Sequence, residues 1–286
     1  MLVAVVLLIA VQSAAAAVIH PKKTVLARGI GGAAAADGDH LVGWGGGHGR
    51  LAVYDDRTRT KTLLDLDRHC SRIVPIDASK GFFLIICGIN GAEGPENHPL
   101  VVDAATGVTT ELPPGSYEQI GTQWVEGTID AGDRTVVVYT NWHTGETRSE
   151  GEAPSGEVRT PFDLDSENLD AVALAGEDFA VGSGQALEQV RSGRRYSIHL
   201  MGRIDDRRLA NCSHKCHPES MKGGLALWSD GDGKLFGYQL RSPHLRREWR
   251  VSADAVVRGA TTRRIYYLTP STSSPQFSDL RSFAWR

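Results

Sequence analysis

Excess charge of either sign is nearly absent from this chain. Its 31 basic and 34 acidic side chains leave a formal net charge of −3, which removes the electrostatic basis for nucleic acid as the main partner. Cysteine is scarce, with four residues in 286, so a small disulfide-stapled scaffold is excluded. Glycine, at 32 residues, falls far short of a collagen, and 41% hydrophobic content is too much for a disordered tail protein. Past residue 19 no apolar run approaches the ~20 residues that a bilayer span needs. Helical periodicity is missing almost throughout. So are a Gly-x-Ser-x-Gly elbow, a phosphate-binding loop and a dinucleotide fingerprint. Ser, His and Asp are plentiful, but no spacing links them into a triad.

What is present begins with a leader. Residues Met1 to Ala17 hold an apolar run, Leu2 to Val11, followed by Gln12-Ser13 and a string of alanines. Ala15 and Ala17 fit the −3 and −1 positions of a signal peptidase site. No Lys or Arg precedes the run, which leaves open a true start upstream of Met1. An uncleaved anchor is the competing reading, but even the run to Ile19 is short and interrupted for a span. No cysteine in the leader offers a lipid anchor. The sequence therefore predicts a cleaved signal peptide over 1–17, a single domain over 18–286, and no transmembrane span once the leader is gone.

The four cysteines fall into two local pairs, which agrees with export. Cys70 and Cys87 flank a strand, a turn at Ala78-Ser79-Lys80-Gly81 and a second strand, so folding the hairpin brings them together. Cys212-Ser-His214-Lys-Cys216-His217 admits three readings. It is near the haem c attachment pattern, and it offers thiolates and imidazoles (His214, His217) to zinc. Structural zinc sites normally recruit a second, distant segment, so a tight local disulfide is the preferred reading.

Between these landmarks a unit recurs. Arg50–Thr58, Pro99–Gly107 and Val136–Gly145 each run a strand into an Asp/Asn-x-x-Thr turn, and a second strand returns. The Asp or Asn caps its own turn. Degraded copies follow at Arg194–Leu200, Lys234–Leu240 and Asp279–Arg286, and each copy is preceded by a further strand: Leu41–Trp44, Phe82–Ile86, Trp124–Gly127, Phe179–Gly182, Leu225–Trp228 and Ile265–Leu268. A repeat of about 45 residues is that of four-stranded propeller blades. The last unit lacks an outer strand, and a spare strand near Thr24–Arg28 precedes the first. The expected fold is all-β: a six-bladed β-propeller of four-stranded antiparallel blades, its C-terminal blade completed by that N-terminal strand. An insertion at about 151–168 separates the third and fourth blades.

On this strand rhythm and these Asp-x-x-Thr turns the chain resembles the six-bladed, WD-like propellers of the TolB-like and related exported bacterial families. The resemblance implies a ligand or partner surface at one end of the ring, and it implies no reaction.

One end of such a ring collects the turn Gly45–Gly49, the segments 88–98, 182–193, 229–233 and 269–278, and the linkers 70–72, 113–119, 151–168 and 208–222. Long loops on a rigid scaffold are where binding resides. His48, Asn90, Glu93, Glu96, Asn97 and His98 are its candidate ligand-binding residues. Asp230-Gly-Asp232-Gly233 reads as a hairpin turn, since a calcium loop needs further acidic positions. The basic stretch His244, Arg246, Arg247 and Arg250 could dock an anion or an acidic glycan, but reads better as the wet side of an outer strand. The expected function is a binding scaffold without cofactor, meeting a protein, peptide or glycan at the loop-rich end. The alternative is a divalent-metal-dependent hydrolase or lactonase, with Ca or Zn at the channel mouth.

Overall fold

The protein is described by a computed structural model over residues 18–91, 94–130, 135–152, 164–165, 167, 178–182, 185–201, 206–230, 232–241, 246–272, 274 and 276–285. The leader over 1–17 and most of the 151–168 insertion lie outside the described residues. All regular structure among these residues is β, in six sheets.

Blade 1 comprises Ala34–Ala36, Leu41–Gly45, Leu51–Asp55 and Thr60–Leu64. Blade 2 comprises Arg72–Ser79, Phe82–Gly91, Gly94–Asp103 and Thr109–Glu111. Ser116–Ile120, Trp124–Asp130, Thr135–Asn141 and Thr147–Glu152 form blade 3. Asp178–Gly182, Gln185–Ser192, Arg195–Met201 and Asp206–Cys212 form blade 4. Blade 5 holds His217–Ser220, Leu225–Ser229, Lys234–Gln239 and Arg246–Arg250. Blade 6 holds Val256–Ala260, Arg264–Pro270, Ser278–Ala284 and, as its outer strand, Thr24–Ile30. First strands touch first strands between blades 1 and 2, 2 and 3, 4 and 5, 5 and 6, and 6 and 1, which sets them around the axis.

The ring closes as the sequence predicts. Thr24 pairs with Ser282 and Val25 with Arg281, antiparallel, and the Asp279 carboxylate accepts from Gly29 N at 3.3 Å. A further strand was not foreseen: Val18–Ile19 adds to the outer edge of blade 5, parallel to Glu248–Trp249. The N-terminal segment thus covers the edges of two successive blades, removing sites for edge-to-edge pairing.

The turns behave as their sequence dictates. Asp55 Oδ1 accepts from Arg57 N and Thr58 N, Asp103 Oδ1 from Ala105 N, and Asn141 Oδ1 from His143 N and Thr144 N. Asp230 Oδ1 accepts from Asp232 N and Lys234 N, closing the expected hairpin turn. Both disulfides are formed, Cys70–Cys87 within blade 2 and Cys212–Cys216 between blades 4 and 5, with Cα separations of 5.3 and 6.2 Å.

The core is a series of slabs between blades. Leu51 and Val53 of blade 1 meet Phe83 and Ile85 of blade 2, and Ala226 and Trp228 of blade 5 meet Leu187 and Ile198 of blade 4. Gly43 lets this happen: a Cβ there would sit 2.5 Å from the Phe83 ring.

Three segments read as loops prove to contain strands. Within 182–193, Gln185–Ser192 is the second strand of blade 4. Its polar Glu188 and Gln189 are buried beside Leu187, so apolar alternation does not mark it. The linkers 113–119 and 208–222 hold the inner strands Ser116–Ile120 and His217–Ser220. Residues 88–91 and 94–98 form the paired end of a long hairpin, with Gly88 opposite Asn97 and Ile89 opposite Glu96.

Candidate functional site at the turn end of the ring

Antiparallel order gives the ring two unlike ends. One gathers the turns between first and second strands and between third and fourth strands. The other gathers the second-to-third turns and the linkers between blades, and it is there that the sequence places its candidate site. The larger of two described cavities, about 560 Å³, lies instead at the first end, lined by the turns around Asp37–Asp39, Lys80, Gly121 and Met221–Gly224, and by Arg241 and Trp285.

Carboxylates build this end. Asp37 is buried, and its Oδ1 accepts from Asp39 N, His40 N and Leu41 N at 2.8–2.9 Å. Its Oδ2 accepts from Gly81 N at 3.1 Å, and its backbone oxygen from Lys80 N at 2.9 Å. One residue of blade 1 thereby fixes the turn of blade 2. Burial pushes the Asp37 carboxyl above its ordinary range, against the pull of those amide bonds. Asp77 Oδ2 accepts from Ile120 N of blade 3 at 3.0 Å. Asp165 Oδ1 accepts from Thr122 N at 2.8 Å. Asp39 is paired with Arg57 at 2.7 Å and with His40 at 3.0 Å. Nearby, Asp56 of blade 1 accepts from Thr261 Oγ1 and from Tyr266 OH of blade 6. Burial, then the charge of Asp56, pushes the Tyr266 phenol far above its ordinary value.

A strap crosses the mouth. The turn Met221–Gly224 leaves blade 5, and a Cβ on Gly223 (φ +68°) would lie 2.5 Å from the Thr261 carbonyl of blade 6. The left-handed backbone and this close approach both require glycine. Lys222 then reaches blade 2, opposite in the ring, where Nζ donates to Asp77 Oδ1 and to Ala78 O.

Every carboxylate of the cavity is therefore held in structural bonds. Six polar side chains lining it are not: Ser79, Lys80, Gln119, Gln185, Gln239 and Arg241 make no side-chain hydrogen bond or ion pair among the described residues. They come from blades 2, 3, 4 and 5. None stands out in the sequence. The available signal was positional, because each falls at or beside a turn that can be placed only after the inner strands are assigned.

The residues picked from the sequence lie elsewhere. His48 is exposed on the second-to-third turn of blade 1, in left-handed conformation at φ 51°. Asn90 is in the second strand of blade 2, opposite Pro95; its side chain and Glu93 lie outside the described residues. Glu96, Asn97 and His98 are on the third strand of blade 2. His98 Nδ1 is 2.9 Å from Glu111 Oε1 and Nε2 is 3.2 Å from Glu96 Oε2, and Arg68 holds the other Glu111 oxygen. Glu111 foremost, with Glu96, raises the His98 imidazole pKa above its ordinary value. Neither His48 nor Glu96, Asn97 or His98 lines the large cavity or the smaller one of about 190 Å³ beside Gly45–Gly49 and Arg72. His214 is exposed and His217 begins the inner strand of blade 5, on the linker closed by Cys212–Cys216. Among the described residues no group of three or more His, Cys, Asp or Glu is gathered as a metal site would require. Arg246 lies over the Trp228 and Phe236 rings, and Arg247 donates to Trp285 O, so that basic stretch serves an outer strand.

No family model matches the chain, and no curated protein matches it. Among solved structures, the β-propeller domain of Cps50 (Swd1) from Myceliophteria thermophila is similar at a TM-score of 0.53 and 11% identity, over 92% of this chain and 98% of that one. PorZ, described as an essential bacterial surface component of the type-IX secretion system of Porphyromonas gingivalis, gives a TM-score of 0.51 and 11% identity over 85% of this chain. This chain spans 36% of the length of PorZ. At such identity the likeness is one of fold, that of a β-propeller.

Proposed function

We propose that this chain is an exported, non-catalytic binding module that receives a protein, peptide or glycan at the turn end of its ring. The observation that carries this reading is the division of labour in the cavity. Its four carboxylates, the groups that could serve as general bases or nucleophiles, are tied to backbone amides, Lys222 or Arg57. Its free polar groups are amides, cations and the Ser79 hydroxyl; the amides and cations recognise ligands, and Ser79 has no base in hydrogen-bond reach among the described residues to activate it. Export is supported by the leader pattern, with Ala15 and Ala17 preceding Val18, and by two disulfides in a chain of four cysteines.

The test is intact and native mass spectrometry of the protein exported by its own leader, with and without chelator. The expected result is a chain beginning at Val18 with two bridges, whose unfolding midpoint is unchanged by chelation. Retained calcium or zinc, with hydrolytic turnover lost on chelation, would replace the binding module with the metal-dependent hydrolase or lactonase.

A further inference from the structure

We infer that the turn-end cavity is a site for a carboxylate-bearing, hydroxyl-rich small ligand, an acidic saccharide of one or two units; this rests on the binding-module reading above. The argument starts from what the cavity lacks. Asp37, Asp39, Asp77 and Asp165 are engaged, and Lys222 is spent on Asp77 and Ala78 O. Lys80, on blade 2, and Arg241, on blade 5, line the cavity with no carboxylate partner among the described residues. Two unmatched cations, on blades that stand opposite in the ring, favour an anionic occupant.

Lys80 is also held in an uncommon way. Its φ is 43°, followed by Gly81 at 92°, and the turn is pinned by two hydrogen bonds from its backbone amides to Asp37. A left-handed conformation at a side-chain-bearing residue costs free energy and persists where its surroundings enforce it. Here the enforcement fixes the position from which an ammonium group enters the cavity.

The three glutamines decide the rest of the ligand. Gln119, Gln185 and Gln239 each bring an amide that both donates and accepts. Sulfate only accepts, and phosphate at neutral pH carries only one or two O–H donors, so either would leave at least one of the three amide oxygens without a donor, which is costly in a half-enclosed site. Sugar hydroxyls donate and accept, matching all three amides, while a uronic carboxylate matches the cations. A cavity of about 560 Å³ lies within the ~300–1,000 Å³ range of small-molecule pockets.

The experiment is calorimetric titration of the disulfide-intact chain 18–286 with β-1,4-linked diglucuronate, with cellobiose as its neutral counterpart, and with inorganic phosphate. Arg241→Ala and Lys80→Gln are the site variants. Lys234→Ala, at the other end of the ring, is the control, and circular dichroism checks folding of each. The expected result is one diglucuronate per chain, at least ten-fold tighter than cellobiose or phosphate. Each site variant weakens it ten-fold or more, and the control leaves it unchanged. Phosphate binding as tightly as diglucuronate would overturn the saccharide assignment. Equal affinity for cellobiose, or indifference to both variants, would overturn the site. Mass spectrometry of the recovered probe separates the two readings: binding with cleavage keeps the site and removes the non-catalytic module, whereas no binding removes the site alone.

Discussion

Asp37 joins two blades through one carboxylate and one carbonyl. Replacing it with alanine strips the acceptor from four backbone N–H groups in a buried turn. Since orphaned buried donors each cost on the order of 1–3 kcal/mol and partly relax, Asp37→Ala should lose about 2–4 kcal/mol in urea unfolding. The pH sign follows from the raised carboxyl pKa. A folded-state value above the unfolded one gives a contribution that is complete below the ordinary carboxylate range and lost as pH rises through the folded value. The stability difference between the native chain and Asp37→Asn should therefore shift in favour of the native chain on acidification through that window. A difference flat with pH would contradict the assignment. His98 shares this sign by another cause, its bonds to Glu111 and Glu96. Its contribution is complete below the ordinary imidazole value of about 6.5 and disappears above the folded one. An NMR titration should place the His98 midpoint above the ordinary value, and Glu111→Gln should bring it back down.

At the scale of elements, the two disulfides should differ in weight. Cys70 and Cys87 are 17 residues apart and Cys212 and Cys216 only 4. Loop-closure entropy then assigns about 3 kcal/mol to the first bridge and about 2 kcal/mol to the second. Urea unfolding of Cys70→Ala/Cys87→Ala against Cys212→Ala/Cys216→Ala measures both, and a larger loss for the second pair would contradict the ordering. Which elements are legible from sequence follows the same physics. Third and fourth strands announce themselves, because Asp55, Asp103 and Asn141 each cap a turn with local amides, a pattern written in adjacent residues. Three first strands do not. Ala34–Ala36, Ser116–Ile120 and His217–Ser220 are short and line the axis, where apolar alternation is not required. Missing them kept the cavity end of the ring out of the sequence reading. The cavity depends on contacts between residues far apart in the chain, such as Lys222 with Asp77, 145 positions away, and no local spacing records these.

At the scale of the molecule, the ring is a closed circuit whose last link is non-local. The strand Thr24–Ile30 joins residues some 250 positions away, through ladder pairing with Ser278–Ala284 and the bond from Gly29 N to Asp279. Ile30 is buried, and Leu26 and Ala27 pack on the slab between blades 6 and 1. Burying Ile30 alone is worth about 1.5–3 kcal/mol, and the ladder bonds add to it. A chain beginning at Gly31 would leave the third strand of blade 6 as an open edge, a template for pairing with another chain. Size-exclusion chromatography of that shortened chain should show concentration-dependent oligomers, and its unfolding should begin at lower urea than that of the chain beginning at Val18. A synthetic peptide spanning Val18–Ile30 should reverse both effects by strand addition. A peptide with Ile30→Asp should fail, because it carries a charge into the slab. If the shortened chain formed oligomers yet unfolded at the same midpoint, the ring would be held by its inter-blade slabs and turn-end carboxylates. In that case the N-terminal strand would be only a cover for the edge. The peptide distinguishes the two outcomes directly: a closing strand restores stability in proportion to its occupancy, whereas a cover suppresses oligomers and leaves the unfolding midpoint where it was.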